Sequence, residues 1–252
     1  MKVIILGAGS AYGCPMIFNS WRSANPQDER NYRTRPSIYV EIDGKKIVVD
    51  TGPEFREQIN KNKITDIDAV LLTHPHYDHI AGLPELTRAS VVLEHNIQVF
   101  ANQETFADLE KSYGFMMKSI EGSILSWHKI PDKGEFDVCG VKVKTFQVPH
   151  HHWHCSAFRF QDMSYVTDWE DISPEGIDIL QGTKTLLIEC NNGLYPEKNG
   201  HSDLENVKKL AERISPQRVI LTHLSSHVDY EETSRCLPHG FELSYDGMEI
   251  NI

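Results

Sequence analysis

Two mixed β-sheets packed face to face, with helices on their outer faces, are the architecture this chain predicts: an α+β fold with αββα layering. Three observations carry the prediction. Short, bounded apolar runs of strand length dominate the sequence. Helical periodicity falls between them rather than across them. The order runs from strands alone, through strands mixed with helices, to strand–helix–strand near the carboxyl end. At 252 residues the chain can bury a full core, and we expect one domain over residues 1–252.

The expected strands, in order, are Lys2–Leu6, Ser37–Ile42, Lys45–Asp50, Ala69–Leu72, Gln98–Ala101, Val141–Gln147, Ser156–Gln161, Met163–Thr167, Thr185–Glu189, Arg218–Thr222 and Glu249–Ile252. Asp43-Gly44 between the second and third runs is a hairpin signal, because both residue types tolerate positive φ. The clearest helix is Asp203–Ile214, with Leu204, Val207, Leu210, Ala211 and Ile214 on one face. Ser202 followed by Glu205 reads as its capping box. Residues 18–35 are polar and weakly periodic, so they form a long loop, a length that is often functional or mobile within a compact domain.

Composition excludes several classes. No apolar run approaches bilayer-spanning length, and Met1–Gly7 is too short an apolar segment for a signal peptide. The expected location is cytoplasmic, with no membrane partner. Cys14, Cys139, Cys155, Cys190 and Cys236 are scattered and form no CxxC pair, so neither a disulfide framework nor a zinc ribbon is indicated. A net charge of −11 argues against sequence-independent nucleic-acid binding, which needs basic surface. It leaves room for a small anionic substrate, because bound cations invert the local field.

His74-Pro75-His76-Tyr77-Asp78-His79 is the densest chemistry in the chain. It follows the apolar run Ala69–Leu72, so it lies at the carboxyl end of a strand. Pro75 disfavours helical backbone at His74, and residues two apart on extended backbone point the same way. His74 and His76 can therefore share one metal, leaving Asp78 and His79 for a second. His and carboxylate ligands without Cys suit zinc, manganese or iron at a reactive site rather than a closed structural one. Three more apolar runs end in candidate ligands: Phe146–Pro149 leads into His150-His151-His152-Trp153-His154, Tyr165–Thr167 into Asp168, and Val219–Thr222 into His223. Any one alone reads as a turn or surface residue. Together they place ligands at four strand ends that can meet at one sheet edge. Alternation puts His150, His152 and His154 on one face and makes His151 the weakest candidate of that cluster.

These residues resemble the HxHxDH signature and downstream ligands of the metallo-β-lactamase superfamily of binuclear metallohydrolases. Gly7-Ala8-Gly9-Ser10 resembles its opening glycine loop, and Asp50-Thr51-Gly52-Pro53 its second motif, a turn that supports the metal loop. Three segments, Asn199–Leu204, Arg218–Ser225 and Leu237–Ile250, are similar to the phosphoribosyl 1,2-cyclic phosphate phosphodiesterases of phosphonate breakdown. The resemblance implies two divalent ions, zinc or manganese with iron also accommodated. His74, His76 and a cluster histidine would hold one; Asp78, His79 and His223 the other; and Asp168 would bridge. His152 is the favoured cluster ligand, three residues after Pro149, with His150, His151 and His154 as competitors. The implied reaction is attack on a small cyclic phosphodiester by a hydroxide between the metals, Asp78 serving the catalytic centre and His201 acting as general acid or phosphate ligand. That family's relatives carry Cys residues for a structural zinc soon after the glycine loop. Residues 18–24 have none, so this zinc is expected to be absent and the loop ordered by packing or left mobile. Competing readings are an RNA-processing nuclease of the same superfamily and a non-catalytic relative that binds metal or a cofactor precursor. A homodimer is left open.

Overall fold

The computed structural model describes residues 1–117, 125–196 and 200–252. Its first sheet is built from β1 (Lys2–Gly7), β2 (Ser37–Ile42), β3 (Lys45–Val49), β4 (Ala69–Leu71), β5 (Ile97–Ala101), β6 (Leu125–Lys129) and β14 (Glu249–Asn251), in the order β14-β1-β2-β3-β4-β5-β6. The second holds β7 (Gly134–Val138), β8 (Val141–His150), β9 (Trp153–Phe160), β10 (Met163–Val166), β11 (Thr185–Glu189), β12 (Arg218–Thr222) and β13 (Phe241–Leu243), in the order β13-β12-β11-β10-β9-β8-β7. Each sheet is antiparallel over one half and parallel over the other.

Period-two alternation sorts the side chains into layers. On β1, Val3 and Ile5 enter the core between the sheets, where they meet Phe158, Phe160 and Tyr165 from the second sheet. Ile4 and Leu6 point outward to a second cluster under α1 (Phe55–Lys61), α3 (Leu83–Leu93) and α4 (Gln103–Met117). On β11, Leu187 faces the inner core while Leu186 and Ile188 face α5 (Pro174–Leu180) and α6 (Leu204–Ile214). The expected αββα layering is the observed one. The Asp43-Gly44 turn has φ of 50° and 74° and pairs Ile42 with Lys45, as a primed two-residue hairpin requires.

Three strands were not legible: β6, β7 and β13. Among the helices only α6 was singled out by pattern. It buries Leu204, Val207, Leu210 and Ile214 as predicted. Its cap differs, however. Asp203, not Ser202, accepts the Asn206 amide at 2.9 Å, while the Ser202 hydroxyl donates to the Trp169 carbonyl at 3.1 Å. The long loop is held by packing around one buried cation. Arg33, 1% exposed, donates to Asn31 and to the carbonyls of Ser225 and Val228, and Asn31 donates to Asp229. Among the described residues no helix is long and apolar enough to cross a membrane.

Candidate metal centre

The site lies where strand ends from both sheets meet. β4 runs through Leu72 and Thr73 to His74, fully buried. Pro75 keeps the chain extended, and His76 sits at the N-cap of α2 (Tyr77–Ile80), with φ −65° and ψ 149°. That short helix carries Asp78 and His79, both buried. From the second sheet come His150 at the end of β8, Asp168 after β10 and His223 after β12. Asp50, His151, Asp168 and His223 all stand on left-handed backbone, with φ from 48° to 63°. Such conformations cost of order 1–3 kcal/mol for each residue and persist where surrounding structure over-determines them.

The side chains converge into overlapping groups whose ligand atoms lie within 4.8 Å of one another. Among the described residues they are His74, His76 and His150; His150, His151 and His201; His74, His79 and Asp168; Asp78, His79 and His223; and Asp168, His201 and His223. Asp168 occupies the centre. Its carboxylate is 3.2 Å from His79 Nε2 and from His223 Nε2, and 3.7 Å from His150 Nε2. Asp78 Oδ2 lies 3.1 Å from His79 Nε2 and 3.5 Å from His223 Nε2.

Neighbouring groups fix which nitrogen faces inward. His79 Nδ1 donates to Asp50 at 2.7 Å, since an ionised carboxylate only accepts. The Thr73 hydroxyl gives its single proton to the same Asp50 oxygen, so it must accept from His74 Nδ1, 3.0 Å away. His150 Nδ1 donates to the Gly200 carbonyl at 3.0 Å. All three rings therefore turn Nε2 toward Asp168. His74 Nε2, His79 Nε2 and both nitrogens of His223 are buried without a hydrogen-bond partner. Orphaned buried imidazole nitrogens facing ionised carboxylates are costly unless a cation takes them, so these residues fit bound divalent metal.

Charge states agree with that fit. Burial pushes the pKa of His74 well down and those of His76 and His150 to about 4, leaving neutral rings. Burial works against ionised Asp168 and Asp78, but the charges of His223 and His79 outweigh it, and both carboxyls are held well below their usual range. Neutral imidazoles and ionised carboxylates are the forms in which these groups bind metal. His79 is the exception: burial opposes its charge, yet Asp78, Asp50 and Asp168 hold its pKa well above the ordinary value.

The structure brings His74, His76, Asp78, His79, Asp168, His201 and His223 together. It does not bring His152. β8 continues through Pro149 to His150, the turn takes up His151 and His152, and β9 begins at Trp153. His150 is 1% exposed and faces the cluster, whereas His152 is exposed on the turn. His150 therefore replaces His152 in the expected ligand set. His154 is turned outward to Glu104. His151, the weakest candidate by alternation, lies beside His150 and His201 because the turn breaks the alternation. Arg56 and Arg88 flank a separate groove between α1 and α3, and Arg159 donates to the carbonyl of Ile179.

His201 stacks on His223, with ring centroids 5.3 Å apart. Of its segment 199–204, Asn199 lies outside the described residues. Burial opposes protonation of His201, but Glu189 and Asp168, each 3.6 Å from Nδ1, raise its pKa to about 9. Glu189 borders the site beside His201 and is not among the residues the sequence singles out. It is fully buried at the end of β11 and accepts the Asn191 and Ser202 amides. Its signal was available, since it ends an apolar strand as the other site residues do. The two turns seen in the sequence also act on the site. A Cβ on Gly52 would stand 2.5 Å from the Asp78 carbonyl, so glycine there lets α2 approach. The Gly7–Ser10 loop brackets Leu224, next to His223, through Leu224 N to Ala8 O and Ser10 N to Leu224 O.

Comparison with known proteins agrees with this geometry. Residues 45–224 match the beta-lactamase superfamily domain. A crystal structure of a diphosphatase from the PhnP family superposes with a TM-score of 0.90 at 28% identity, covering 100% of this chain and 97% of that one. An octanoyltransferase of Porphyromonas gingivalis is 30% identical over all of this chain, which spans about half, 52%, of that relative's length. The exodeoxyribonuclease WalJ of Streptococcus pneumoniae is 29% identical over 84% of this chain and 76% of its own.

Proposed function

This chain belongs to the metallo-β-lactamase superfamily, and from that premise we propose that it is a metal-dependent phosphodiesterase acting on a small phosphodiester, a cyclic ribose phosphate being the best fit. The observation that carries the reading is the convergence of two triads, His74, His76 and His150, and Asp78, His79 and His223, with Asp168 grouped with His74 and His79 and again with His201 and His223. His74, His76 and His150 would hold one divalent ion, Asp78, His79 and His223 the second, and Asp168 would touch both. When bound, such a pair supplies Lewis-acid polarisation of a phosphoryl oxygen and lowers the pKa of water toward neutrality.

The protein's own groups supply the rest. Asp50, Thr73 and the Gly200 carbonyl engage the Nδ1 atoms of His79, His74 and His150, so all three rings present Nε2 to the site. Protonated His201, its Nδ1 drawn toward Glu189 and Asp168, keeps an Nε2–H for a substrate oxygen. It can donate to the leaving alkoxide, or hold the phosphoryl group by a charge-assisted hydrogen bond. The similarity to a PhnP-family diphosphatase, at 28% identity over the full chain, supports hydrolysis at phosphorus.

Protein reconstituted with manganese or zinc is expected to hydrolyse bis(p-nitrophenyl) phosphate in preference to p-nitrophenyl phosphate. Asp168→Ala should abolish the activity, and His201→Ala should lower it by about 10²–10⁴-fold. Absence of diester cleavage with two metals demonstrably bound refutes the reading. A second reading, an exonuclease, is favoured by the 29% identity to WalJ over most of the chain. The net charge of −11 weighs against it. Processive digestion of DNA at physiological salt, faster than small-ester turnover, would reverse that preference.

A further inference from the structure

We propose that the cavity walled by Ser23, Asn192, Tyr195, Ser225 and His227 is a subsite for the uncharged, hydroxyl-bearing part of the ester, its sugar. The phosphoryl group would lie at the imidazole–carboxylate cluster. This assignment rests on the phosphodiesterase reading and adds to it where substrate selectivity resides. Size, chemistry and position each support it.

The cavity encloses about 320 Å³, at the small end of ligand pockets, which run roughly 300–1,000 Å³. It suits a sugar better than a polymer. Among the described residues its walls offer two hydroxyls, a carboxamide, a phenol and an imidazole, with no Asp, Glu, Lys or Arg. Sugar hydroxyls would find both donors and acceptors among these side chains. Tyr195 is 59% exposed, so its side chain is accessible to a ligand in the cavity.

Position ties the cavity to the site. Ser225 is two residues beyond His223, and the Asn192 amide donates to the His201 carbonyl at 3.3 Å. The walls are also held in place. Ser23 N and Ala24 N both donate to the Ser226 carbonyl, Ser225 N to Asn191, and Asn192 N to Ser202. Arg33 ties the Ser225 and Val228 carbonyls to the 18–35 loop. That loop, ordered without any cysteine ligand, thereby contributes Ser23 to the wall. A pocket built before the ligand arrives loses less affinity to ordering.

The test compares kcat/KM for ribose 1,2-cyclic phosphate with kcat/KM for bis(p-nitrophenyl) phosphate, in wild type, Tyr195→Ala and the cavity-filling Ser23→Phe. Tyr195 and Ser23 are exposed, so both variants should fold, and circular dichroism and metal content check this. The ratio of sugar ester to nitrophenyl ester should fall at least tenfold in each variant, with the loss in KM. A ratio within twofold of wild type in both variants overturns the subsite while leaving the phosphodiesterase reading intact. A metal-loaded wild type that cleaves neither ester overturns the enzymatic reading itself, and the subsite with it.

Discussion

Replacing Asp50 with asparagine changes one oxygen to an amide and should loosen metal binding from outside the ligand set. Asp50 is fully buried and accepts three hydrogen bonds: Thr73 N at 2.8 Å on one oxygen, and the Thr73 hydroxyl at 2.8 Å and His79 Nδ1 at 2.7 Å on the other. Asparagine can satisfy this set in neither orientation. With its oxygen toward His79, its amide meets the Thr73 N–H donor to donor, and a buried donor is stranded. With its amide toward His79, Nδ1 must become an acceptor and the ring proton moves to Nε2, the atom that faces Asp78 and Asp168. Thr73 would then turn its own proton to His74 Nδ1 and reverse that ring as well. An unsatisfied buried donor costs about 1–3 kcal/mol, which at roughly 1.4 kcal/mol per decade is about a 5- to 150-fold weakening. Partners behind metal-bound histidines typically contribute about 10–100-fold, within that range. Competitive chelator titration of zinc-loaded wild type and Asp50→Asn measures the change directly. Long-range proton–nitrogen NMR spectra report the tautomers of His74 and His79. An affinity within threefold of wild type, with both rings still protonated on Nδ1, would refute the tautomer argument.

Three further outcomes follow from the geometry. His150→Ala should lose most of one metal equivalent by elemental analysis and at least 100-fold in activity, while His152→Ala stays within threefold of wild type; the reverse pattern would mean the β8–β9 turn is misassigned. Arg33→Met removes three buried hydrogen bonds and should destabilise the protein by about 2–4 kcal/mol, a fall of roughly 4–16 °C in Tm at this size; a calorimetric change below about 1 kcal/mol would deny Arg33 its anchoring role. Burial pushes the pKa of Asp246 up to about 6 against the opposing pull of Thr34 and Ala8. The folded chain then keeps a proton that the unfolded chain releases near pH 4, so this contribution, about 3 kcal/mol at most, is present below pH 4 and lost as pH rises through 6. Urea unfolding between pH 4 and 7 should show wild type losing stability relative to Asp246→Asn, and a gap that widens with pH in favour of wild type would reverse the sign.

The layers of the fold were legible because a strand packed on both faces writes itself as a short apolar run, and β1, β4, β10, β11 and β12 are such strands. Those that escaped lack that signature. β7, Gly134–Val138, is an edge strand of alternating exposure with Glu135 and Asp137 pointing out, and β6 begins with one buried leucine followed by Ser126, Trp127, His128 and Lys129. Edge strands bury one face at most, so hydrophobicity under-reports them. The capping error at α6 has a similar origin. Ser202 and Asp203 are both good caps, and the choice between them fell to the Trp169 carbonyl, which lies 33 positions away and takes the serine hydroxyl.

The site divides along the same line. His74, His76, Asp78 and His79 could be read locally because a proline and a strand end fix their directions within a few residues. Asp168 and His223 could be read because each ends an apolar run. The cluster histidine could not, because the answer depends on where the β8–β9 hairpin turns. Alternation makes His150 and His152 equivalent while the chain stays extended. The register pairing His150 with Trp153 puts the turn immediately after His150, and His151 takes the left-handed conformation that reverses the chain. Past that point the period of two no longer applies, so His152 leaves the face and His151 returns toward His201. A turn register is set by pairing across the sheet, here by the eight-residue match of β8 with β9, and not by the residues in the turn. The ligand assignment is therefore a property of the sheet, and lengthening the turn by one residue should move metal affinity more than any substitution of His152.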